Sequence, residues 1–208
     1  MQQPRRVIFD FDGTVANTMP PLEMIATRII QAIYSLGETD ALRGYRQTIG
    51  ASFEEQLDEL FPRHTGNENA AHLFGMQREA VYDISPPKAG AVETIKALSE
   101  SGVQSYIVSS TPWDLVDRWL ERHLPFGNIF TLAETHGGMK QQQVSSAVRG
   151  KVGLTVMIGD APRDMRYAQY ENIPFLGVIG TFSKDEWAAG SPAPVFNNIN
   201  QAVRHAFA

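Results

Sequence analysis

Cysteine is absent from this chain of 208 residues. Neither a disulfide framework nor a thiolate metal site is available to it. Such a chain suits a reducing cytosol, and a cytoplasmic location is the expectation. Long apolar runs are missing too. No stretch approaches the roughly 20 apolar residues that a membrane helix needs. The opening Met1-Gln2-Gln3-Pro4-Arg5-Arg6 leads only into a short apolar run that Asp10 interrupts, so there is no signal-peptide h-region. Positive charge is in deficit, with 18 Lys and Arg against 23 Asp and Glu and a formal net charge of -5. That balance disfavours nucleic acid and anionic membranes as partners. The histidines, His64, His72, His123, His136 and His205, form no spaced pair of the kind zinc sites use. Repeats and low-complexity tracts are lacking. What remains is ordinary globular composition, 43% apolar and 20% charged. The length allows one large domain, or a core with a small insert.

The densest chemical signal is the run Val7-Ile8-Phe9-Asp10-Phe11-Asp12-Gly13-Thr14. An apolar strand ending in Asp-x-Asp-Gly delivers two like charges to one sheet edge. Their repulsion is relieved by a cation, a proton or a reacting electrophile. The segment points to chemistry on a charged substrate with a divalent metal.

From Met19 to about Tyr82 the chain reads as successive helices. Leu22, Ile25, Ile29, Ile33 and Leu36 recur at helical spacing, with Gly37 suited to the position after the helix. Ser52 and Glu55 make a capping box ahead of Phe53, Leu57, Leu60 and Phe61. Residues 62–69 read as a loop, and a further helix covers about 69–83. Ser85-Pro86-Pro87-Lys88-Ala89-Gly90 is a breaker-rich hinge. Beyond it helices and strands alternate. Strands are expected at Gln104–Ser109, near Asn128–Leu132, at Leu154–Ile158, at Pro174–Ile179 and near Pro194–Phe196. Pro112 is expected in the first turn of one helix and Pro162 opens another, with a helix from about Lys140 to Val148 between them. Alternation of this kind argues for an α/β fold: a Rossmann-like parallel sheet core with helices on both faces. The helical block is an insert into that core.

In an open parallel sheet the site forms outside the carboxyl ends of the strands. Three strand ends carry polar residues here: Asp10-Phe11-Asp12, Ser109-Ser110-Thr111 and Gly159-Asp160. Lys140 sits at a helix start between the last two. Carboxylates suit a hard cation, while hydroxyls, helix-start amides and an ammonium suit phosphoryl oxygens. Ser109, by its position directly after the strand, is preferred to Ser110 and Thr111 for the phosphate, and Lys140 is preferred to Lys151. Lys151 precedes a strand and belongs on the far side of the sheet. Arg163, Trp113 and Trp187 read as surface or packing residues.

Taken together, Asp10-x-Asp12-Gly13-Thr14, a strand ending in Ser109, Lys140, and Gly159-Asp160-x-x-x-Asp164 resemble the four motifs of the haloacid dehalogenase superfamily, over nearly the whole chain. The insert resembles the small helical cap of phosphoglycolate phosphatase-like and β-phosphoglucomutase-like members, and Arg46-Gln47-Thr48-Ile49-Gly50 looks like a cap segment of the phosphatases. The resemblance implies a core over residues 1–17 and 87–208 and a cap over 18–86. It implies that Asp10 is a nucleophile forming an aspartyl-phosphate, and that Asp12 is general acid and then general base. Mg²⁺ would be held by Asp10, the backbone carbonyl of Asp12, Asp160 and Asp164. Ser109, Ser110 and Lys140 would bind the phosphoryl group, and Thr14 and Arg46 are candidate substrate contacts. Asn17 stands where phosphoglycolate phosphatase relatives often carry Asp, and Glu171-Asn172 where an Ala-Gly pair is usual. These departures weaken assignment to a subfamily.

The expected activity is Mg²⁺-dependent hydrolysis of a small phosphomonoester (phosphoglycolate-like, a sugar phosphate or a nucleotide) by a monomer or homodimer. Asp12 argues against dehalogenation. Thr14 leans against a phosphosugar mutase, which stays as the alternative. A receiver-like signalling module would not need the helical insert, and the intact Asp10, Asp12, Lys140 and Asp160 argue against a protein that kept the fold without catalysis.

Overall fold

Successive residues of the first strand pack on opposite faces of one sheet. A computed structural model describes residues 4–125, 129–131, 139–190 and 192–208. In chain order its elements are β1 (Arg6–Asp10), α1 (Met19–Tyr34), α2 (Glu38–Thr48), α3 (Phe53–Leu60), α4 (Asn67–Ile84), α5 (Ala91–Glu100), β2 (Gln104–Val108), α6 (Trp113–His123), β3 (Ile129–Thr131), α7 (Lys140–Val148), β4 (Thr155–Gly159), α8 (Pro162–Tyr170), β5 (Phe175–Val178), α9 (Lys184–Gly190), β6 (Val195–Phe196) and α10 (Ile199–Ala206). The strands form one sheet in the order β3-β2-β1-β4-β5-β6, and every pairing is parallel. Val7 and Phe9 join a core cluster with Ile95 of α5, Trp119 of α6 and Ile199 of α10. Ile8 joins a second cluster with Val144 of α7, Ala168 of α8 and Trp187 of α9. Helices on both faces leave β1 no solvent side, which is why its apolar residues run consecutively instead of alternating with polar ones.

Helices α1 to α4 lie between β1 and α5. Their apolar stripes meet each other and continue the first cluster: Leu22 and Ile30 of α1, Tyr45 of α2, Leu57 of α3 and Phe74 of α4. The rings of Phe53 and Phe74 stack with centroids 4.2 Å apart. The Ser52 capping box forms as expected. Ser52 Oγ accepts from the Glu55 amide at 3.2 Å, and Glu55 accepts from the Ser52 amide at 2.9 Å. Such a cap contributes about 1 kcal/mol.

Several boundaries differ from the sequence reading. Gly37 does not follow α1. That helix ends at Tyr34, Ser35 takes the left-handed conformation at φ 54°, and Gly37 is the extended N-cap of α2. The sequence shows α2 poorly because only Ala41, Tyr45 and Thr48 are buried along it. Three buried positions in eleven residues leave a stripe too thin to stand out. Helix α4 begins at Asn67, inside the expected loop. Pro112 is the N-cap of α6 rather than part of its first turn. Ser109 lies just beyond β2. Of the strand expected near 128–132, β3 covers Ile129–Thr131. Asn128 and Leu132 lie outside the described residues, as does His136. Among the described residues no helix is long and apolar enough to cross a membrane.

Candidate active site

From β1 the chain proceeds to β2 and β3 on one side of the sheet, and β4, β5 and β6 lie on the other. The boundary between β1 and β4 is therefore a topological switch point, where open α/β sheets bind ligands. Asp10 is the last residue of β1, and Asp160 follows the last residue of β4. With Phe9 beside Ile158 in the register, the two carboxylates emerge side by side. Asp164 comes in from the first turn of α8, where its Oδ2 accepts from the Ala161 amide at 3.2 Å. One oxygen from each of Asp10, Asp160 and Asp164 lies within 4.8 Å of the others, and all three residues are buried. Lys140, the first residue of α7, donates to Asp10 Oδ1 and, at 2.8 Å, to Asp164 Oδ1.

The remaining oxygens are also engaged. Thr14 Oγ1 donates to Asp10 Oδ2 at 2.9 Å and lies 3.4 Å from Asp160 Oδ1. The Thr181 amide and hydroxyl donate to Asp160 Oδ2 at 2.7 and 2.6 Å. Gly13 and Gly180 make room for this packing. A Cβ on Gly13, whose φ is +82°, would fall 2.1 Å from Asp160 Oδ2, and one on Gly180 would fall 2.5 Å from the same atom.

One ammonium faces three buried carboxyls, so the cluster is short of positive charge. Burial pushes the Asp10 carboxyl up to about 7, with Asp160 and Asp12 adding to the rise and Lys140 opposing it. Burial and then Asp164 push Asp160 up to about 6. Burial raises Asp164 to about 6 as well, against the pull of Lys140. Burial works to lower Lys140, but Asp10 and Asp164 outweigh it and hold the ammonium above its ordinary value. Hard carboxylate oxygens, closely spaced and under-compensated, fit a hard divalent cation. Bound there, the cation would supply the missing positive charge.

Asp12 lies two residues from Asp10 and faces a different environment. Its Oδ1 accepts from Thr18 Oγ1 at 2.7 Å and from the Tyr82 hydroxyl at 3.0 Å. Its Oδ2 accepts from Thr111 Oγ1 at 2.7 Å, with Ser109 Oγ at 3.4 Å. Thus the pair divides into one carboxyl facing an ammonium and acids and another facing hydroxyls. A cavity lies above both. Its floor includes Asp10, Asp12, Lys140 and Asp160, and its roof includes Tyr45, Phe53, Phe74 and Arg78 from the helical insert. The centre of a water-sized sphere can occupy about 50 Å³ of it. A single water needs about 10–15 Å³ by that measure, so the space suits a small ion or molecule.

The haloacid dehalogenase-like hydrolase family model matches residues 7–178. The chain belongs to that family. A phosphoglycolate phosphatase from Pseudomonas fluorescens is 22% identical over 96% of this chain and 79% of its own. Among solved structures, a haloacid dehalogenase-like family protein from Streptococcus pneumoniae covers 100% of both chains with TM-score 0.76 at 16% identity. A hydrolase from Pseudomonas syringae covers 96% of both at TM-score 0.75 and 18% identity. At such identities the structural likeness speaks to the fold.

In this haloacid dehalogenase-like chain the sequence-derived candidates separate into groups. Asp10, Asp12, Lys140, Asp160, Asp164 and Ser110 all line the cavity. Ser109 does not line it. Its hydroxyl accepts from the Thr111 amide at 3.0 Å, and Gln143 clasps its backbone, accepting from the amide at 2.9 Å and donating to the carbonyl at 2.8 Å. Ser110 and Thr111 face the cavity instead. Thr14, expected as a substrate contact, spends its hydroxyl on Asp10 and Asp160. Arg46, expected likewise, is held by Glu23 at 2.7 Å, Glu186 at 3.0 Å and the Thr181 carbonyl at 2.8 Å. These partners tie α2 to α1 and to the segment after β5, and Arg46 is not among the residues that line the cavity. Arg163 pairs with Glu59 of α3 at 2.5 Å. Sequence reasoning missed Thr181, Gln143 and Tyr82. A polar residue soon after β5 was a usable signal for Thr181, because other strand ends carry site residues. Gln143 and Tyr82 sit within helices and gave none.

Proposed function

We propose that this chain is a Mg²⁺-dependent phosphatase that hydrolyses a small phosphomonoester through an aspartyl-phosphate on Asp10. The observation that carries this reading is the division of the Asp10–Asp12 pair, with Asp10 in the carboxylate–lysine cluster and Asp12 among hydroxyls. An Asp10 oxygen bonds to phosphorus as the ester P–O bond breaks, and Asp12 gives its proton to the leaving oxygen. Asp12 then takes a proton from water, whose oxygen attacks phosphorus and releases inorganic phosphate and the Asp10 carboxylate. Lys140 and Ser110 bind the phosphoryl oxygens, and the Ser109 backbone is braced for this by Gln143. Asp10, Asp160, Asp164 and the Asp12 carbonyl are the residues that would hold Mg²⁺, which when bound would offset the repulsion between an anionic nucleophile and an anionic substrate.

In this reading residues 18–86 act as a cap on a core of residues 1–17 and 87–208. The small roofed cavity favours a free small molecule over a phosphoprotein or nucleic acid. The activity named for the Pseudomonas fluorescens relative supports phosphoglycolate as the first ester to test, followed by sugar phosphates and nucleotides. Phosphate release is measured over that panel with Mg²⁺ and with EDTA. Metal-dependent release is expected, and its absence from every ester refutes the proposal. A mutase would return an isomeric phosphosugar in place of free phosphate.

A further inference from the structure

We propose that Tyr82, on helix α4 of the insert, is a positioning residue for Asp12. The inference rests on the phosphatase reading for the task it gives Asp12, but its geometry stands independently. Tyr82 is buried, at 3% exposure. Its hydroxyl lies 3.0 Å from Asp12 Oδ1 and 2.8 Å from Thr111 Oγ1, and Thr111 in turn donates to Asp12 Oδ2 at 2.7 Å. Together these contacts form a closed triangle that touches both oxygens of the carboxyl. A carboxyl held at one oxygen can still swing about its side-chain torsions. Holding both oxygens fixes the direction in which it presents a proton.

Tyr82 is itself firmly placed. Its ring stacks on Phe11, the residue between the two aspartates, with centroids 6.1 Å apart and planes 14° apart. Phe11 meets Trp119 edge-on at 5.2 Å, and Trp119 Nε1 donates to the Ser85 carbonyl at 2.8 Å, next to the Pro86-Pro87 hinge. Of the other hydroxyls around Asp12, Ser109 and Thr111 follow β2 directly, and Thr18 is the N-cap of α1, where the chain enters the insert. Tyr82 alone among these four partners comes from α4. The insert therefore contributes to the proton-transfer group as well as to the cavity roof.

The test is Tyr82→Phe, which keeps the stacked ring and removes the hydroxyl. Proton donation matters for an ester with a poor leaving group and little for 4-nitrophenyl phosphate, whose leaving group departs as a stable anion. For an unactivated alkyl phosphate, kcat/KM should fall about 10- to 100-fold, a part of what a positioned general acid supplies. For 4-nitrophenyl phosphate it should stay within about twofold, because that ester asks little of the acid. In an Asp12→Asn background the same change should cost the alkyl ester nothing more, since both substitutions act on one group. Equal losses on the two esters, or a full additive loss in the double variant, would overturn the proposal. A crystal structure of the variant supplies a readout that needs no turnover: the Asp12 carboxyl should be displaced or split between rotamers, and an unmoved carboxyl counts against the proposal. If the wild type turns over neither ester, the phosphatase reading is decided by the wider ester panel, and the variant's crystal structure by itself decides the role of Tyr82.

Discussion

Replacing Asp10 by Asn should stabilise the metal-free protein, and more so at higher pH. The substitution keeps the side chain's shape and leaves an oxygen to accept from Thr14, which now bonds Asp10 Oδ2 at 2.9 Å. What it removes is a charge that the folded state holds badly. Burial first, then Asp160 and Asp12, outweigh Lys140 and raise the Asp10 carboxyl from 3.8 to about 7. A raised carboxyl favours the protonated form in the folded state. Its contribution to stability is greatest below the unfolded value and is lost as pH rises through the folded value. By pH 8 the loss is complete and amounts to about 4 kcal/mol, while at pH 5 it is about 2 kcal/mol. Asn carries no such charge. In EDTA the variant should therefore exceed the wild type by roughly 8–16 °C in Tm at pH 8 and roughly 4–8 °C at pH 5, using 2–4 °C per kcal/mol for a chain of this size. Thermal melts followed by circular dichroism read this directly. Excess Mg²⁺ should narrow the gap, because the wild type keeps a ligand that the variant lacks; saturation at 100 times Kd adds about 2.7 kcal/mol. A variant no more stable than wild type at pH 8 in EDTA, or a gap equal at both pH values, would refute the charge argument.

Lys140→Met should destabilise the EDTA-treated protein by about 3–5 kcal/mol in urea melts near pH 8, since it leaves buried carboxylates without their cation. A smaller loss would mean the cluster sheds its charge by binding protons. Gly13→Ala should weaken Mg²⁺ binding in calorimetric titration, because its Cβ would meet Asp160 Oδ2 at 2.1 Å; unchanged affinity would show that the loop yields. Arg46→Ala should cost only about 0.5–1 kcal/mol, as a partly exposed pair does, and the cost should shrink in high salt. The same variant should make the insert easier to cleave in limited proteolysis. Asp12→Asn should slow hydrolysis of an alkyl phosphate by about 10²- to 10⁴-fold and allow phosphoenzyme to be trapped with 4-nitrophenyl phosphate. Full activity would remove Asp12 from proton transfer.

Residue order already implied much of this molecule. The consecutive apolar residues of β1 need cover on both faces, and alternating strands and helices supply it, so the parallel sheet was legible without coordinates. Polar residues at strand ends could be read as a group because parallel strands deliver their carboxyl ends to one edge. That logic brought together Asp10, Asp12 and Asp160, which do line one cavity with Lys140 from a helix start, but it preferred Ser109 where Ser110 is the serine that lines it. Helix α2 was harder to read, because it buries little and so leaves only a thin apolar stripe.

Side-chain direction was not legible. Ser109 and Ser110 are adjacent, yet the hydroxyl of the first accepts from the Thr111 amide beside Asp12, while the second lines the cavity. Arg46 resembled a substrate contact until Glu23 and Glu186 were found beside it, residues 23 and 140 positions away in the chain. Thr181 and Tyr82 meet Asp160 and Asp12 only after the sheet assembles and α4 folds back. Local order determined the strands, the helices and the charge brought to the sheet edge, since these depend on periodicity and turn chemistry. Tertiary structure decided which carboxyl faces the ammonium and which faces the hydroxyls, because the partners that distinguish them are supplied from distant parts of the chain.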